Sequence, residues 1–327
     1  MHQAVLLKET VDLLGIREDG VYVDGTLGSG GHAEAVLEQL GPTGMLYGID
    51  RDREALSRSG QRLSRFGNRF CGVHGNYADM KELLGEIGVA TIDGLILDFG
   101  VSSEQLDTAD RGFSFMQDGP LDMRMDQRQA LTAAVVVNTY SEADLAAIFW
   151  CLGEERDSRR IAKRIVEQRE LEPFATTGAL AALISAAKGG RRGRRQHPAT
   201  KAFQALRMTV NHELESIEKG LSDGLQLLKP GGRMAVISFH SLEDRCVKHF
   251  FREHEGRWES LAAGGERWNG ALPAVRRITR KAQKPSAAEC RENPRARSAI
   301  LRVSERLEGP DKGRKGGHDE VTSQTQS

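Results

Sequence analysis

The fold is decided by the stretch VYVDGTLGSGGH, residues 21–32, near the start of a chain of 327 residues. Residues 21–24 form a short, valine-rich run that predicts a buried strand, and the glycines after it predict a turn that lets the backbone approach a ligand. Apolar residues then recur at helical spacing through residues 33–40, and Gly41-Pro42 predicts the end of that helix. A strand, a glycine-rich turn and a helix in this order are typical of nucleotide-binding α/β sheets.

Five further apolar runs predict the rest of the sheet. They are Met45 to Asp50, Arg69 to Val73, Ile92 to Asp98, Arg233 to Phe239 and a late edge strand from Ser298 to Val303. Helical patterns alternate with the early runs, which favours a parallel sheet with helices on both faces. The predicted fold class is therefore α/β, with a doubly wound, Rossmann-like sheet.

The interval between Asp98 and Arg233 is much longer than the roughly dozen residues that a crossover connection needs. We therefore expect a discontinuous sheet domain over residues 1–105 and 202–306, interrupted by a mostly helical substrate-recognition domain over residues 106–201. Residues 307–327 are rich in glycine, lysine and small polar residues and are predicted to be a disordered tail.

Two side chains of the insertion are predicted to cap helices. Ser141 and Thr177 each precede a run with apolar residues at helical spacing. After Pro198, apolar residues continue at steps of three or four from Phe203 to Leu228, which predicts a long helix, or two joined helices, leading back to the sheet.

The composition excludes several classes of protein. No apolar run approaches the roughly 20 residues of a membrane helix, and the first residues lack the pattern of a secretory signal. The cysteines are scattered without metal-binding spacing, so no metal site and a cytoplasmic protein with reduced thiols are expected; they are Cys71, Cys151, Cys246 and Cys290. Lysine and arginine number 46 and so do the acids, so net charge favours no partner.

Three acids suggest which ligand the sheet binds. Asp50 ends the second predicted strand, where an acid accepts hydrogen bonds from ribose hydroxyls. Asp24 stands inside the glycine-rich turn, where it would repel a pyrophosphate and attract the cationic methionine part of S-adenosylmethionine. Asp98 ends the fourth strand at the edge where such sheets bind ligands. Tyr77 either stacks on an adenine or is an ordinary half-buried tyrosine.

At these residues the sequence resembles the bacterial RsmH/MraW family of 16S ribosomal RNA cytidine N4-methyltransferases. The resemblance runs from His2 to about Arg306. The motifs that carry it are HQAVLL at 2–7, DGTLGSGGH at 24–32, IDRD at 49–52, LDFGVSS at 97–103, RGFSF at 111–115, GPLDMRMD at 119–126, HPAT at 197–200, SFHSLEDR at 238–245 and NPRARS at 293–298.

The resemblance implies methyl transfer from S-adenosylmethionine to the exocyclic amine of one cytidine in the decoding region of 16S ribosomal RNA. It implies cofactor contacts at Gly30, Gly31, His32, Asp50, Tyr77, Asp98 and Gln105. The sequence departs from the family pattern at Ser29, at Phe99 and at Glu104, where proline is usual before Gln105. None of these departures removes a matched functional position.

Amine methylation requires the amine, the methyl group and the sulfur to be held in line, and a proton to be accepted. Asp98 is the first catalytic candidate, although it could bind only the methionine amino group. His240, after the fifth strand, is a second candidate as proton acceptor, although it could instead satisfy a local turn or touch an RNA phosphate. Asp122 and Asp126 come third, because nearby arginines favour plain ion pairs there.

Two basic segments are predicted to contact RNA. Residues 188–197 carry Arg191, Arg192, Arg194 and Arg195 without any acid, which suits phosphate contacts, although such runs are also common on solvated surfaces. Arg276 and Arg277 lie in the second segment. The expected partner is 16S ribosomal RNA or the small ribosomal subunit. No contact with a membrane is expected, and the sequence leaves open whether the protein forms a homodimer.

Two other classes of protein compete with this interpretation. A nicotinamide-dependent oxidoreductase would use the same kind of sheet, but the Ser-Tyr-Lys grouping of short-chain dehydrogenases is not found. An RNA-binding module with a vestigial cofactor loop is disfavoured by the intact set of Asp24, Asp50 and Asp98. Comparing the binding of nicotinamide cofactors and S-adenosylmethionine would separate the first class, and a methyl-transfer assay the second.

Overall fold

The computed structural model describes residues 4–190, 196–255, 257–260, 266–269 and 273–308. Its strands are β1 (Val21–Asp24), β2 (Met45–Asp50), β3 (Phe70–His74), β4 (Ile92–Asp98), β5 (Leu228–Ser238), β6 (Arg257–Ser260), β7 (Glu266–Asn269), β8 (Val275–Arg277) and β9 (Ile300–Arg306). Seven of them form one sheet in the order β3-β2-β1-β4-β5-β9-β8, and β6 pairs with β7 in a separate hairpin.

Thirteen α-helices lie in the described ranges. They are α1 (Leu7–Leu14), α2 (Gly31–Gln39), α3 (Arg53–Leu63), α4 (Met80–Glu86), α5 (Ser103–Asp107), α6 (Ala133–Thr139), α7 (Glu142–Cys151), α8 (Ser158–Arg169), α9 (Thr177–Ala187), α10 (Thr200–Val210), α11 (Glu213–Leu227), α12 (Ser241–Glu255) and α13 (Ala287–Glu292). Short 3₁₀ turns occupy Ser64–Arg69, Tyr77–Asp79, Ala109–Arg111 and Pro294–Ser298.

The predicted α/β fold class is confirmed, but the sheet is mixed. Strands β1 to β5 pair in parallel, whereas β9 runs antiparallel to β5 and β8 runs antiparallel to β9. The prediction that the last strand lies at the sheet edge is wrong, because β8 covers its outer side. A strand of three residues, Val275–Arg277, is too short to leave a periodic signal in the sequence.

The side chains of the sheet alternate between two hydrophobic clusters, one on each face. Val23, Leu95 and Val236 pack with α4, α11 and α12 on one face. Tyr22 and Ile96 pack with α1 and α2 on the other. Both faces are thus covered by helices, as a doubly wound sheet requires, and the ligand is expected at the carboxyl ends of the parallel strands.

A third cluster belongs to the helices between β4 and α11. It gathers buried side chains from α6 to α10 and from residues 113–125, with Phe149 and Ile161 fully buried. The division at residues 105 and 201 stays a prediction. Because α10 contributes Phe203, Leu206 and Val210 to this cluster, we propose that the return to the sheet domain falls at the end of α10.

The predicted helix caps and the predicted long helix are found in the structure, with a correction to one cap and a break in the long helix. Ser141 caps α7, since its hydroxyl accepts from the Asp144 backbone. The cap of α9 is Thr176 and not Thr177, which is the first helical residue. The long helix is two helices, because His212 adopts a left-handed conformation (φ 49°) between α10 and α11. This break brings the start of α11 to the ligand edge of the sheet.

Candidate active site

A cleft opens at the carboxyl ends of β1, β2 and β4, where the glycine-rich turn meets the chain after β4 and the start of α11. Its lining includes Gly25, Thr26, Leu27, Gly28, Ser29, Gly31, His32, Asp50, Arg51, Tyr77, Asp98, Phe99, Gly100, Ser102, Gln105, Met125, Glu213, Phe239 and Glu243. The position is the one expected for the ligand of a doubly wound sheet.

The glycine-rich turn has the close backbone approach that its sequence predicted. Gly28 and Gly30 have positive φ angles of 50° and 76°, which favour glycine. A Cβ at Gly25 would lie 2.6 Å from Leu97 Cδ2, so no larger residue fits there without movement. Backbone conformation and close packing therefore favour glycine at these positions of the turn between β1 and α2.

The backbone of the turn is fixed by Asp50. One carboxylate oxygen accepts from the Gly28 N–H at 2.8 Å, and the other accepts from the Asp52 N–H at 2.8 Å. Burial raises the pKa of Asp50, while these two hydrogen bonds act in the opposite direction. Asp50 lines the cleft, so its remaining lone pairs are available to a ligand hydroxyl.

Asp98 is the most strongly perturbed acid of the cleft. Its backbone N–H donates to the Thr26 hydroxyl at 2.6 Å, which ties the end of β4 to the glycine-rich turn. One carboxylate oxygen, Oδ1, is buried without a hydrogen-bond partner among the described residues. Burial, together with the charges of Asp24 and Glu243, raises the pKa of Asp98 well above its usual value.

His32 lies beside Asp98 on the first turn of α2. Its Nε2 is 3.1 Å from the Val5 carbonyl oxygen, which can only accept, so this nitrogen carries the ring proton. Burial lowers the pKa of His32 to about 4, and the ring is neutral at neutral pH. Its unprotonated Nδ1 then lies 3.7 Å from Asp98 Oδ2.

Asp24 lies behind the cleft and does not line it. Its carboxylate accepts from the Thr26 N–H at 3.2 Å. Burial raises its pKa to about 7, with a further contribution from Asp50. The cleft and the layer directly behind it therefore hold Asp24, Asp50 and Asp98 in an environment that disfavours their charge, and a cationic ligand would relieve this cost.

Tyr77 and Gln105 both line the cleft, in different ways. The Tyr77 ring is buried, with its centroid 5.7 Å from that of Phe99. The side-chain oxygen of Gln105 accepts from the Ser102 N–H as part of a capping box, and its amide nitrogen donates to Asp52 at 3.0 Å. Their contacts with a cofactor stay predictions.

A buried ion pair that sequence reasoning missed supports this wall of the cleft. Arg111 donates to Asp52 Oδ2 at 2.8 Å, and both side chains are almost fully buried. The same guanidinium donates to the carbonyl oxygens of Arg124 and Met125. Hydrogen bonds from Gln105 and Arg111 hold the pKa of Asp52 below its usual value, although burial opposes them. Both residues stand in quoted motifs, but nothing in the sequence pairs them.

His240 lies at the carboxyl end of β5, next to an acid that was not singled out. Its Nε2 is 3.0 Å from Oε1 of Glu243 without hydrogen-bonding alignment. Oε2 of Glu243 accepts from the N–H groups of Phe239 and His240 at 2.7 and 3.2 Å. Glu213, at the start of α11, is held by Arg207 through two hydrogen bonds of 2.8 and 2.7 Å. No spacing pattern in the sequence indicated Glu213.

The third catalytic candidates are engaged in ion pairs away from the cleft lining. Asp122 pairs with Arg124 at 2.8 Å and Asp126 pairs with Arg128 at 2.7 Å. Both carboxyl groups have pKa values below their usual range; at Asp122 the hydrogen bonds from Arg124 outweigh burial, and at Asp126 the bond from Arg128 is the main cause. The ion pairs with Arg124 and Arg128 thus explain why acids stand at positions 122 and 126.

The basic candidates divide into two groups. Arg276 pairs with Glu305 at 2.6 Å and Arg277 pairs with Glu255, so both cations have acidic partners in the structure. The other four lie outside the described residues; they are Arg191, Arg192, Arg194 and Arg195. RNA contact by either group stays a prediction.

Comparison with known proteins decides the family. The model of the MraW methylase family matches residues 1–307. The ribosomal RNA small subunit methyltransferase H of Syntrophotalea carbinolica is 52% identical over 307 residues, covering 94% of this chain and 98% of that protein. Its namesake in Geotalea uraniireducens is 50% identical over 307 residues, with the same coverage. A third, from Syntrophobacter fumaroxidans, is 50% identical over 311 residues and covers 93% and 96%.

The chain belongs to the MraW methylase family. The resemblance found in the sequence is thereby confirmed, and so is a methyltransferase with S-adenosylmethionine as cofactor. The acids of the cleft fit this cofactor, because its sulfonium and ammonium groups are cations. Across the described ranges, no helix has the length and apolar character needed to cross a membrane.

As a MraW methylase, the chain gathers nearly all the predicted cofactor residues in one cleft. Gly31, His32, Asp50, Tyr77, Asp98 and Gln105 line it, and Gly30 is the N-cap of α2 directly beside it. His240 contacts the cleft-lining Glu243. Glu213 and Glu243 are the additional acids. Glu243 stands inside the motif SFHSLEDR, three residues after His240, but nothing in the sequence distinguishes it from the other acids of that motif.

Proposed function

We propose that this protein methylates the exocyclic N4 of a specific cytidine in the decoding region of 16S ribosomal RNA. The observation that carries the chemistry is Asp98, which lines the cofactor cleft and whose buried oxygen Oδ1 has no hydrogen-bond partner among the described residues. The choice of RNA is supported by the close relatives, which are small-subunit ribosomal RNA methyltransferases. The choice of cytidine N4 rests on the resemblance of the motifs.

The Asp98 carboxylate suits an amine nucleophile. A cytosine amine is weakly nucleophilic because its lone pair is delocalised into the ring. A carboxylate that accepts one of its N–H groups favours a pyramidal nitrogen and can take the proton that the amine loses. S-adenosylmethionine supplies the electrophilic methyl group when it is bound. As the amine received that methyl group, its proton would pass to the Asp98 carboxylate.

The neutral His32 ring limits the charge near this step. Because its Nε2–H is held by the Val5 carbonyl oxygen, Nδ1 accepts and cannot repel the cofactor sulfonium. The raised pKa of Asp98 favours a proton on its carboxyl group in the free protein. Binding of the cationic cofactor favours loss of that proton, which prepares the carboxylate to accept a hydrogen bond from the amine.

A comparison of Asp98→Asn with the wild-type protein tests the catalytic role. Asparagine retains the size and one acceptor, so cofactor affinity measured by calorimetry should fall less than about tenfold. Methyl transfer under single-turnover conditions should fall by roughly 100-fold or more, because the proton acceptor is lost. Unchanged turnover at saturating cofactor would assign Asp98 to cofactor binding alone.

The substrate is tested with small ribosomal subunits from cells that lack this protein. The subunits should accept about one labelled methyl group each, and mass mapping of the 16S RNA should place it on one cytidine as N4-methylcytidine. A methyl group on uridine, on a ribose or on protein would overturn the proposal. Naked 16S RNA, assayed in parallel, distinguishes the two forms of substrate that the sequence leaves open.

We also propose that the basic segment 188–197 holds the RNA through its phosphates. Charge reversal at Arg191, Arg192, Arg194 and Arg195 should weaken RNA binding and flatten its salt dependence, and cofactor affinity should not change. The same reversal at Arg276 and Arg277 tests the second segment. A cytoplasmic location follows from the proposed ribosomal substrate, and light scattering of the free protein and its RNA complex would decide whether it dimerises.

A further inference from the structure

Three buried polar atoms without hydrogen-bond partners lie at the carboxyl ends of β4 and β5. They are Oδ1 of Asp98, Nε2 of His240 and Oε1 of Glu243, and in the described part of the chain only the Thr10 hydroxyl shares this condition. Unpaired buried polar atoms destabilise a fold, so native proteins rarely keep them without a use. Two of the three, His240 Nε2 and Glu243 Oε1, lie 3.0 Å apart without hydrogen-bonding geometry, and together with Asp98 Oδ1 they indicate a place for a polar ligand at this end of the sheet.

The local hydrogen bonds determine what two of these atoms offer. His240 Nδ1 accepts from the Glu243 N–H at 3.4 Å, so the ring proton is on Nε2. Oε2 of Glu243 is occupied by two backbone N–H groups, which leaves Oε1 as the acceptor. The result is a donor, Nε2–H, and an acceptor, Oε1, side by side at 3.0 Å.

The charges around Glu243 keep it an acceptor. Burial opposes its ionisation, but the contact with His240 and the charge of Arg207 hold its pKa below the usual value. The side chain is only 1% exposed, and Glu243 lines the same cleft as Asp98. The acceptor is therefore ionised, shielded from water and adjacent to the site of methyl transfer.

We propose that His240 and Glu243 recognise the amine-bearing edge of the target base. Nε2–H of His240 donates to the ring nitrogen N3, and Oε1 of Glu243 accepts one hydrogen of the exocyclic amine. The second amine hydrogen is left for Asp98, so the amine is held from both sides with its lone pair free for the methyl group. This inference rests on the proposed function and names the residues that select the base.

The pairing explains a preference for cytosine over uracil. A donor beside an acceptor is the pattern that the N1–H and O6 of guanine present to cytosine in a base pair. Uracil has a carbonyl oxygen and an N3–H in the corresponding positions, so acceptor would face acceptor and donor would face donor. A mismatch of this kind leaves buried groups unpaired and is strongly rejected.

A metal ion is the competing occupant of this place. Glu213, His240 and Glu243 offer ligand atoms within 4.8 Å of one another. Both oxygens of Glu213, however, already accept hydrogen bonds from Arg207. A divalent cation would also lie in the same cleft as the sulfonium of the cofactor and repel it. The occupied oxygens of Glu213 and this repulsion favour the target base over a metal ion as the occupant.

The test exchanges the acceptor for a donor. In Glu243→Gln, the amide oxygen is expected to take the two backbone N–H groups, so that the amide NH₂ faces the base. Small subunits are reconstituted with cytidine or uridine at the mapped methylation position, and their dissociation constants are measured with S-adenosylhomocysteine present. The wild-type protein should prefer cytidine by roughly 10- to 100-fold. In Glu243→Gln this preference should be abolished or inverted, a result that a folding defect does not produce.

Two further variants complete the test. His240→Ala removes the donor to N3 and should lower single-turnover methyl transfer by roughly tenfold or more at unchanged cofactor affinity. Asp93→Asn alters a buried carboxylate at the opposite end of β4 and should retain the wild-type preference and rate.

Two results would overturn the inference. One is an unchanged preference for cytidine in Glu243→Gln, and the other is a stoichiometric divalent metal whose removal stops methyl transfer. If the wild-type protein methylates no cytidine at all, the proposed function has failed and not this step alone.

Discussion

The affinity for S-adenosylmethionine should depend on pH, because acids in the cleft and directly behind it have raised pKa values. Burial raises the pKa of Asp24 to about 7 and that of Asp98 well above its usual value. A cationic ligand favours the ionised carboxylates, so binding must release the protons that these acids hold. Affinity therefore rises with pH until both acids are ionised in the free protein.

The structure gives the size of this effect. With a pKa of about 7, Asp24 is ionised in about 3% of free molecules near pH 5.5 and in about 90% near pH 8. If the complex requires ionised Asp24, the dissociation constant falls about 30-fold over this range, equivalent to about 2 kcal/mol. Asp98 changes the affinity in the same direction, so about 30-fold is a lower limit for the expected fall of the dissociation constant.

Calorimetric titration at constant ionic strength measures the effect directly. Repeating it in buffers of different ionisation enthalpy counts the protons released. S-adenosylhomocysteine, which lacks the sulfonium charge, should show a weaker pH dependence. Asp24→Asn should flatten the profile, and Asp93→Asn, an acid whose pKa is held low by Lys229 against the effect of burial, should not. Equal affinity near pH 5.5 and pH 8 without proton release would refute the reasoning.

Three further predictions concern stability. Arg111→Met leaves Asp52 buried without its charged partner and should lower the free energy of unfolding, measured with urea, by about 3–5 kcal/mol; an unchanged midpoint would contradict this. Gly112→Ala forces a Cβ to 2.2 Å from a backbone oxygen at φ 70° and should cost more than about 1 kcal/mol, whereas Gly60→Ala, with open space around it, should stabilise α3 by about 0.5–1 kcal/mol. Asp24 has a raised pKa, so the stability it contributes is present below its unfolded pKa and is lost as pH rises through about 7. The unfolding temperature of the free protein should therefore fall between about pH 5 and pH 8, and less so in Asp24→Asn; an equal fall in both proteins would exclude Asp24 as the cause.

The parts of the fold that the sequence predicted well depend on local or periodic signals. Strands β1, β2 and β4 match their predicted bounds because each is an apolar run ended by an acid. The cleft residues of the turn were predictable because glycine is required where the backbone has positive φ. These features depend on neighbours along the chain, which a single sequence displays directly.

The features that were missed depend on contacts between distant residues. Strand β8 exists because β9 offers it an edge, and its three residues carry no period. The break between α10 and α11 is stabilised by Asn211, whose side chain bonds the backbone of Met123 and Met125. The apolar pattern runs on across that break, so periodicity alone predicts one long helix as readily as two joined ones.

One buried network joins the cofactor cleft to the helical unit, which bears on how the target base is selected. Asp52, two residues after Asp50 at the end of β2, is bound by Arg111, and Arg111 donates to the backbone carbonyl oxygen of Met125, which lines the cleft. The Met125 N–H donates to Asn211 Oδ1 at 2.8 Å, and α11 begins two residues after Asn211 with Glu213, which lines the cleft. Since these polar contacts are buried, a shift of the helical unit would break hydrogen bonds at the cofactor wall. We therefore expect the helical unit and the cleft to move together when RNA binds, and under the proposed function the target base leaves its stack to reach Asp98.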